Sequence, residues 1–505
     1  MIVEKNQSEN GNEKYIIKNG LGVSVLEYFY PDYNNKICIL KEVGSKNGLP
    51  IGEKLSTNSS LYKKILSELE FGFHQSMIKI SQCSRNLMKD FDGPNVLFLS
   101  NNEGGYARKG IIIKDCDTYV EYPNLNYVDL VIDEKRLENG ELQIFTHELG
   151  HVIMANILNH FPDGKSVKQH TSMGITDYYN AFNEGWAVHF ERLSYDNIEH
   201  YAKLIDLKYS YTKDIVKLWH CEIDSSLRID GVLKNSFIYK KLLPKVDTSN
   251  MDLKDIIILE HTSPIFDTTR LKNAQEMLSC EGVLATLFYR INTNPILQNN
   301  YLDCNFYNNF LLCNINESNS IRQLFSPLEN VMLKNLWIWN RIREKIGANS
   351  IPFIEFLKEW CTCFPNDSHE ILKLFISTTI GKTINNDFGV IFQKLSMAGM
   401  TGKINEFMKI YSEYKVCFEE IFEKTEAGEY AIDGNIGNEI WLDKLPIKIP
   451  VYLWSDAEQV NLSINLNTAS EYELQSFPEI TPNKAREIIE KRDAIRYLTD
   501  IKDIE

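Results

Sequence analysis

Two histidines four residues apart with an acid beside the first, His147-Glu148-Leu149-Gly150-His151, constrain this chain more than any other feature. On an α-helix, residues at that spacing share a face with Cβ atoms roughly 5–6 Å apart. Both imidazoles can therefore converge on one cation. Glu148 falls one step round the helix, beside the open position of such a cation, where a general base stands without ligating it. Helical spacing of Ile144, Leu149, Val152, Ile153 and Ile157 predicts a helix here, with Asn139 as its expected N-cap. Catalytic zinc usually takes three protein ligands and a water, so a third ligand has to come from elsewhere.

A second apolar helical pattern, Ala181, Phe182, Trp186, Ala187 and Phe190, carries Glu184 within Asn183-Glu184-Gly185-Trp186-Ala187. The two motifs in this order resemble the gluzincin metallopeptidases, the thermolysin and aminopeptidase superfamily, over roughly residues 90 to 300. The resemblance implies one Zn2+ held by His147, His151 and Glu184, Glu148 as catalytic base, and Asn183 orienting a ligand. It also implies hydrolysis of a peptide or protein substrate by a zinc-activated water. One departure stands out: the interval from His151 to Glu184 is longer than is usual in that family. The extra length falls in His160 to Tyr178, where Pro162-Asp163-Gly164 and Gly174 read as a loop. His160, His170 and His189 are the alternative third ligands.

A second reading from another class is a non-catalytic scaffold on a peptidase-like fold, holding structural zinc or none and recruiting partners through its tail. A third, hydrolysis of a non-peptide amide, differs only in substrate. Net charge is −15, which disfavours a general nucleic-acid binder, since such proteins need a basic surface. No apolar run is long enough to suggest a membrane span, and the polar start Met1-Ile2-Val3-Glu4-Lys5 lacks a signal-type apolar segment. Ten scattered cysteines fit reduced, mostly buried thiols, so a cytoplasmic setting is expected.

The expected fold is α+β and mostly helical. Residues 1–140 read as an N-terminal α/β subdomain with a mixed sheet, from alternating runs at Gly22–Leu26 and Lys36–Leu40 and β-rich runs at Pro94–Leu99, Lys109–Ile113 and Val128–Ile132. One long or two short helices fill residues 59–91, where His74 reads as a core or surface histidine. The gluzincin resemblance implies an edge strand that pairs with extended substrate. Glu103-Gly104-Gly105-Tyr106-Ala107 can line such a rim or form a plain hairpin turn. Residues 141–300 are the gluzincin-like helical catalytic subdomain. There Glu191 either braces a ligand histidine or is an exposed charge. Tyr195, Tyr201, Tyr209, Tyr211, Tyr239, His261 and Arg270 are candidates to stabilise an oxyanion, the last two ahead of a helix expected over Leu271–Ile291. Residues 301–425 read as a helical bundle with one helix over Ile321–Ile346, and 426–462 as a linker or small β region.

Residues 463–505 form the last expected domain. Ile464-Asn465-Leu466-Asn467-Thr468-Ala469-Ser470, Leu474, Phe477-Pro478, Ala485 and Ile488-Ile489 resemble the helix-hairpin-helix module of competence-type DNA-uptake proteins. Thr468 or Ser470 is the expected cap of its first helix, and Pro478 to Pro482 its hairpin. That family's hairpin normally reads Gly-Ile-Gly, whose exposed N–H groups grip a phosphate. Here it reads Glu479-Ile480-Thr481, and the segment holds six Lys/Arg against nine Asp/Glu. Docking to a protein partner is therefore expected ahead of DNA binding.

Overall fold

A computed structural model describes residues 2–7, 13–18, 24–30, 37–70, 72–89, 93–158, 172–199, 201, 227–241, 266–311, 318–347, 350–436, 440–443, 447–450, 457–460, 463–469, 471–475, 477–495 and 498–504. It is mostly helical, with sheet at the N-terminal side and a small helical module at the C-terminus. The chain divides into two units. The first comprises Met1–Phe161, Leu193–Tyr211 and Asn292–Glu344, and the second Pro162–Arg192, Thr212–Ile291 and Lys345–Glu505. No described helix is long and apolar enough to cross a membrane.

The first unit begins with an antiparallel meander of β1 (Ile2–Gln7), β2 (Glu13–Lys18) and β3 (Ser24–Tyr30). A five-stranded closed sheet follows, in the order β4 (Cys38–Lys46), β5 (Leu49–Lys54), β7 (Tyr106–Asp115), β8 (Thr118–Leu130) and β6 (Val96–Leu99). Leu40, Val96, Phe98, Ile111, Ile113, Leu125 and Tyr127 form its core. β7 changes register between Lys109 and Ile111, where Gly110 adopts φ +86°. An L side chain rarely takes that conformation, and the irregularity splits the strand. Its second half pairs with β5 at Ile112 and Ile113, whereas Tyr106–Lys109 pair only with β8. Among the described residues, the outer edge of Tyr106–Lys109 has no strand partner.

Between β5 and β6 the helical stretch resolves into α1 (Ser60–Leu69), capped by the Ser59 hydroxyl on Tyr62 N, and α2 (Gly72–Met88). Gly72, at φ +58°, makes the break. α3 (Glu134–Glu138) is capped by Asp133, and Asn139 closes it. The expected role of Asn139 as N-cap of the histidine helix is thus corrected. Gly140, in the left-handed region, and a 3-10 turn over Glu141–Ile144 intervene before α4 (Phe145–Ile157). α4 lies on α2 and β8. An amide–hydroxyl chain pins its end: half-buried Asn126 Nδ2 donates to Asn156 Oδ1 at 3.0 Å and Asn156 Nδ2 to Ser84 Oγ at 2.9 Å.

The second unit holds most of α5 (Tyr178–Asn197). The Asp177 carboxylate starts this helix by accepting from Tyr179 N at 2.8 Å and Asn180 N at 2.9 Å. Phe182, Trp186, Phe288, Phe353 and Phe356 pack edge-on around its buried face. The helix expected over Leu271–Ile291 is instead a strand to Leu271, a short helix Ala274–Leu278 and a longer one, Glu281–Thr293. Asn273 and Glu276 make a reciprocal capping box that starts the short helix. The same device corrects the helix expected over Ile321–Ile346 in the first unit. Ser326 and Glu329 cap Pro327–Ile342 and separate it from Ser318–Leu324.

The C-terminal module closes the second unit. Ser463–Asn465 pairs with Trp441–Asp443, followed by helices Glu471–Gln475 and Pro482–Ile495. Ile464, Leu466, Ala469, Leu474, Ala485, Ile488 and Leu498 are its core. Asn467 takes Leu498 N on Oδ1 at 2.5 Å and donates to Leu498 O at 2.9 Å, tying the two ends of the module together. Of the eight described cysteines, all free, only Cys83 and Cys280 are buried, so the expectation of mostly buried thiols is corrected. Burial pushes the Cys83 thiol up to about 12.

Candidate metal centre

His147 and His151 stand one turn apart on α4, with Nε2 atoms 3.2 Å from each other and ring centroids 5.0 Å apart. Two nitrogens ligating one tetrahedral zinc at about 2.0–2.1 Å are separated by roughly 3.3 Å. The pair is thus spaced as a shared cation requires. One ligand atom from each of His147, His151 and Glu184 forms a set whose members all lie within 4.8 Å of one another, with His147 buried and the other two half-buried. It is the one such triad found among the described residues. Two imidazoles and one carboxylate match the donor chemistry of a catalytic zinc site.

Each of the two helices is held by contacts of its own. α5 is common to both units, and its final turns lie in the first, where Ser194 Oγ and Thr146 Oγ1 are 2.8 Å apart, both buried. That contact joins the α5 C-terminus to the residue preceding His147. At the other end of the helix, Gly185 lets α5 approach Glu281–Thr293 closely. A Cβ there would stand 2.5 Å from Leu284 Cβ and 2.9 Å from the Glu281 carbonyl oxygen. Glycine beside Glu184 is thus a packing requirement.

Glu148 is buried on α4 next to the histidine pair. Tyr106, at the end of β7 that pairs only with β8, has its phenol pushed up by burial, by Glu103 and by the charge of Glu148. The open strand edge therefore lies within electrostatic reach of the candidate base. Arg108 stacks on the Tyr106 ring at 4.8 Å and pairs with buried Asp129 at 2.5 Å. Alternation along β7 puts Tyr106 and Arg108 on one face, a signal present in the sequence; the pairing of Arg108 with Asp129 across the ladder depends on register, which the sequence does not display.

The remaining candidates scatter. His189 is fully buried, meets the Trp186 carbonyl through Nδ1, and packs on Trp186, Phe190 and Phe288. Burial pushes its pKa down to about 3. Its place on α5 is about 140° round the helix from Glu184, so His189 is a core residue and lies outside the triad. Glu191 is buried, which corrects the reading as an exposed charge, and accepts from Arg228 Nη1 at 2.6 Å. Arg228 belongs to a π-helical turn, Leu227–Gly231, that carries no local sequence signal. Tyr201 donates to Gln143 O at 3.1 Å, Tyr239 Oη lies 3.2 Å from Ser396 Oγ, and Tyr195 and Arg270 are exposed. His74 is a buried core residue whose Nδ1 meets Glu68 O at 2.9 Å. His160, His170, Tyr209, Tyr211 and His261 lie outside the described residues.

In the C-terminal module, Glu479 and Thr481 of the hairpin are exposed. Thr481 Oγ1 caps the second helix by accepting from Lys484 N at 3.3 Å, whereas Ser470, one of the two caps expected for the first helix, lies outside the described residues. The cations along that second helix face carboxylates: Lys484 and Lys491 lie 3.4 and 3.3 Å from Glu487, and Arg486 lies 3.6 Å from Glu471. Arg492 is buried. A phosphate arriving at the hairpin would meet Glu479 and cations already paired.

A family model for the helix-hairpin-helix motif matches residues 460–505. No curated protein and no solved structure matches the chain.

Proposed function

We propose that this chain is a zinc-dependent peptidase in which His147, His151 and Glu184 hold the metal and Glu148 is the general base. One observation carries the reading: donor atoms from two helices, well separated in sequence, meet within 4.8 Å in a set that suits zinc. When bound, zinc supplies a Lewis acid that polarises the scissile carbonyl and acidifies water. The Glu148 carboxylate takes the proton from the attacking water and passes it to the leaving amine. The edge of Tyr106–Lys109 away from β8 gives an extended substrate backbone a strand to pair with, near that base. Glu148→Gln tests the proposal. The variant should keep its zinc by elemental analysis and lose cleavage of a peptide library, and undiminished cleavage would overturn the mechanism.

The alternative is a scaffold whose metal, if held, is structural. Its support is the helix-hairpin-helix motif at residues 460–505, a type of module that commonly binds nucleic acid or mediates interactions. The acidic hairpin and paired cations favour a protein partner over DNA. A zinc-loaded wild-type protein that cleaves nothing in the library would favour this reading.

A further inference from the structure

We infer that the C-terminal module acts inside this chain, as a clamp on the helix that carries Glu184. The inference rests on Glu184 being a metal ligand, and every contact that carries it lies within the second unit.

The clamp begins at Arg492 in the second helix of the module. Its Nη1 donates to Leu466 O at 3.1 Å and Ala469 O at 2.7 Å, so the guanidinium is held by the turn that opens the module. Its Nη2 lies 4.0 Å from Glu276 Oε1. Glu276 also meets Lys240 at 3.2 Å, and Lys240 lies 3.8 Å from Asp493. Two carboxylates and two cations thus close a charged joint. Glu276 is 2% exposed and Arg492 3% exposed. Breaking the Arg492–Glu276 contact leaves two buried charges with fewer partners, so the joint resists opening.

Glu276 does more than accept these cations. It is the reciprocal residue of the capping box that starts Ala274–Leu278. The end of that helix is bonded to the segment leading into α5: Thr176 N donates to Ser279 O at 2.7 Å, Ile175 bridges to Cys280, and Gly282 N donates to Ser172 O at 2.8 Å. Asp177, the cap of α5, is the next residue along. The following helix, Glu281–Thr293, is the one on which Gly185 packs. Two ties, both leaving through Ala274–Leu278, therefore run from the Arg492–Glu276 joint to the first turns of α5, one at its cap and one beside Glu184. Arg492 and Glu276 are positioning residues for the carboxylate ligand.

The test uses the full chain with Arg492→Met, Arg492→Lys, Glu276→Gln and, as a surface control in the module, Glu479→Ala. Zinc affinity is read by competition with a chromophoric chelator, and amide hydrogen exchange is read over Tyr179–Gly185. Arg492→Met should weaken zinc about tenfold, at the low end for loss of a group that orients a ligand, and should speed exchange in that segment. Arg492→Lys should recover part of both effects, and Glu479→Ala should change neither. Should Arg492→Met fail to fold, Glu276→Gln, which keeps side-chain shape, carries the same expectation. Wild-type zinc affinity together with wild-type exchange in a folded joint variant would overturn the clamp. If the wild type binds no zinc, the metal assignment fails, and unchanged exchange over Tyr179–Gly185 in the variants then overturns the clamp separately.

Discussion

The α4–α5 pair and the C-terminal module are opposites in what supports them. The first has a converged set of donor atoms but matches no curated protein or solved structure, whereas the second matches a family motif yet carries Glu479 and Thr481 at its hairpin, where glycines are usual. The difference lies in how each chemistry is encoded. A metal site needs a few side chains at the right separation, and those can be read from coordinates alone. A phosphate-binding hairpin depends on a bare backbone, which a core pattern can preserve while the glycines disappear. Fold and site are separable properties.

The sharpest way to break this contrast is to remove the donors. His147→Ala or Glu184→Ala should bring zinc content to background in elemental analysis after dialysis, and retention of stoichiometric zinc would end the comparison on the metal side. Next in size is Glu148→Gln, with zinc kept and turnover of a cleavable peptide down by about 10²–10⁴-fold, the range for loss of a general base.

A smaller effect is expected from Gly185→Ala, because the added Cβ meets Leu284 and the Glu281 carbonyl at 2.5 and 2.9 Å. Overpacking of this kind costs about 1–3 kcal/mol, measurable as a shift in urea midpoint. On the module side, burial pushes the Glu276 carboxyl up, but Lys240, Arg492 and the Asn273 backbone N–H more than offset it, leaving the pKa below the ordinary 4.5. A carboxylate with a depressed folded-state pKa contributes stability above its unfolded value, and loses it as pH falls through the folded value. The joint should therefore hold at neutral pH and weaken only as pH drops below 4.5. The corresponding loss of urea stability should be smaller in Glu276→Gln than in the wild type. The smallest expected effect is none at all: short duplex DNA at low salt should not shift in a gel. Tight, salt-sensitive binding would return the module to its family's usual role.

Legibility followed the range of the interactions. β6, the histidine helix and the module's apolar core are readable because each depends on residues within a few positions. Where the reading errs, the competing signal is also local. Ser326-Pro327-Leu328-Glu329 and Asn273-Ala274-Gln275-Glu276 are capping boxes inside apolar patterns, and the periodicity outweighs them. The assignment of Asn139 fails differently, since Asp133 starts a separate helix that Asn139 ends. The Arg492–Glu276 joint has no sequence signal, because its partners are remote from each other along the chain and each alone resembles an ordinary surface charge.

Helix geometry alone puts His147 and His151 on one face and Glu148 beside them, since about 100° per residue leaves no other arrangement once the segment is helical. That much belonged to the order of the residues. Glu184 comes from another helix, remote in sequence, whose start is set by the Asp177 cap and whose packing needs Gly185, while Ser194 near its end meets Thr146. No local rule links those contacts, so only the packed chain could decide where Glu184 stands.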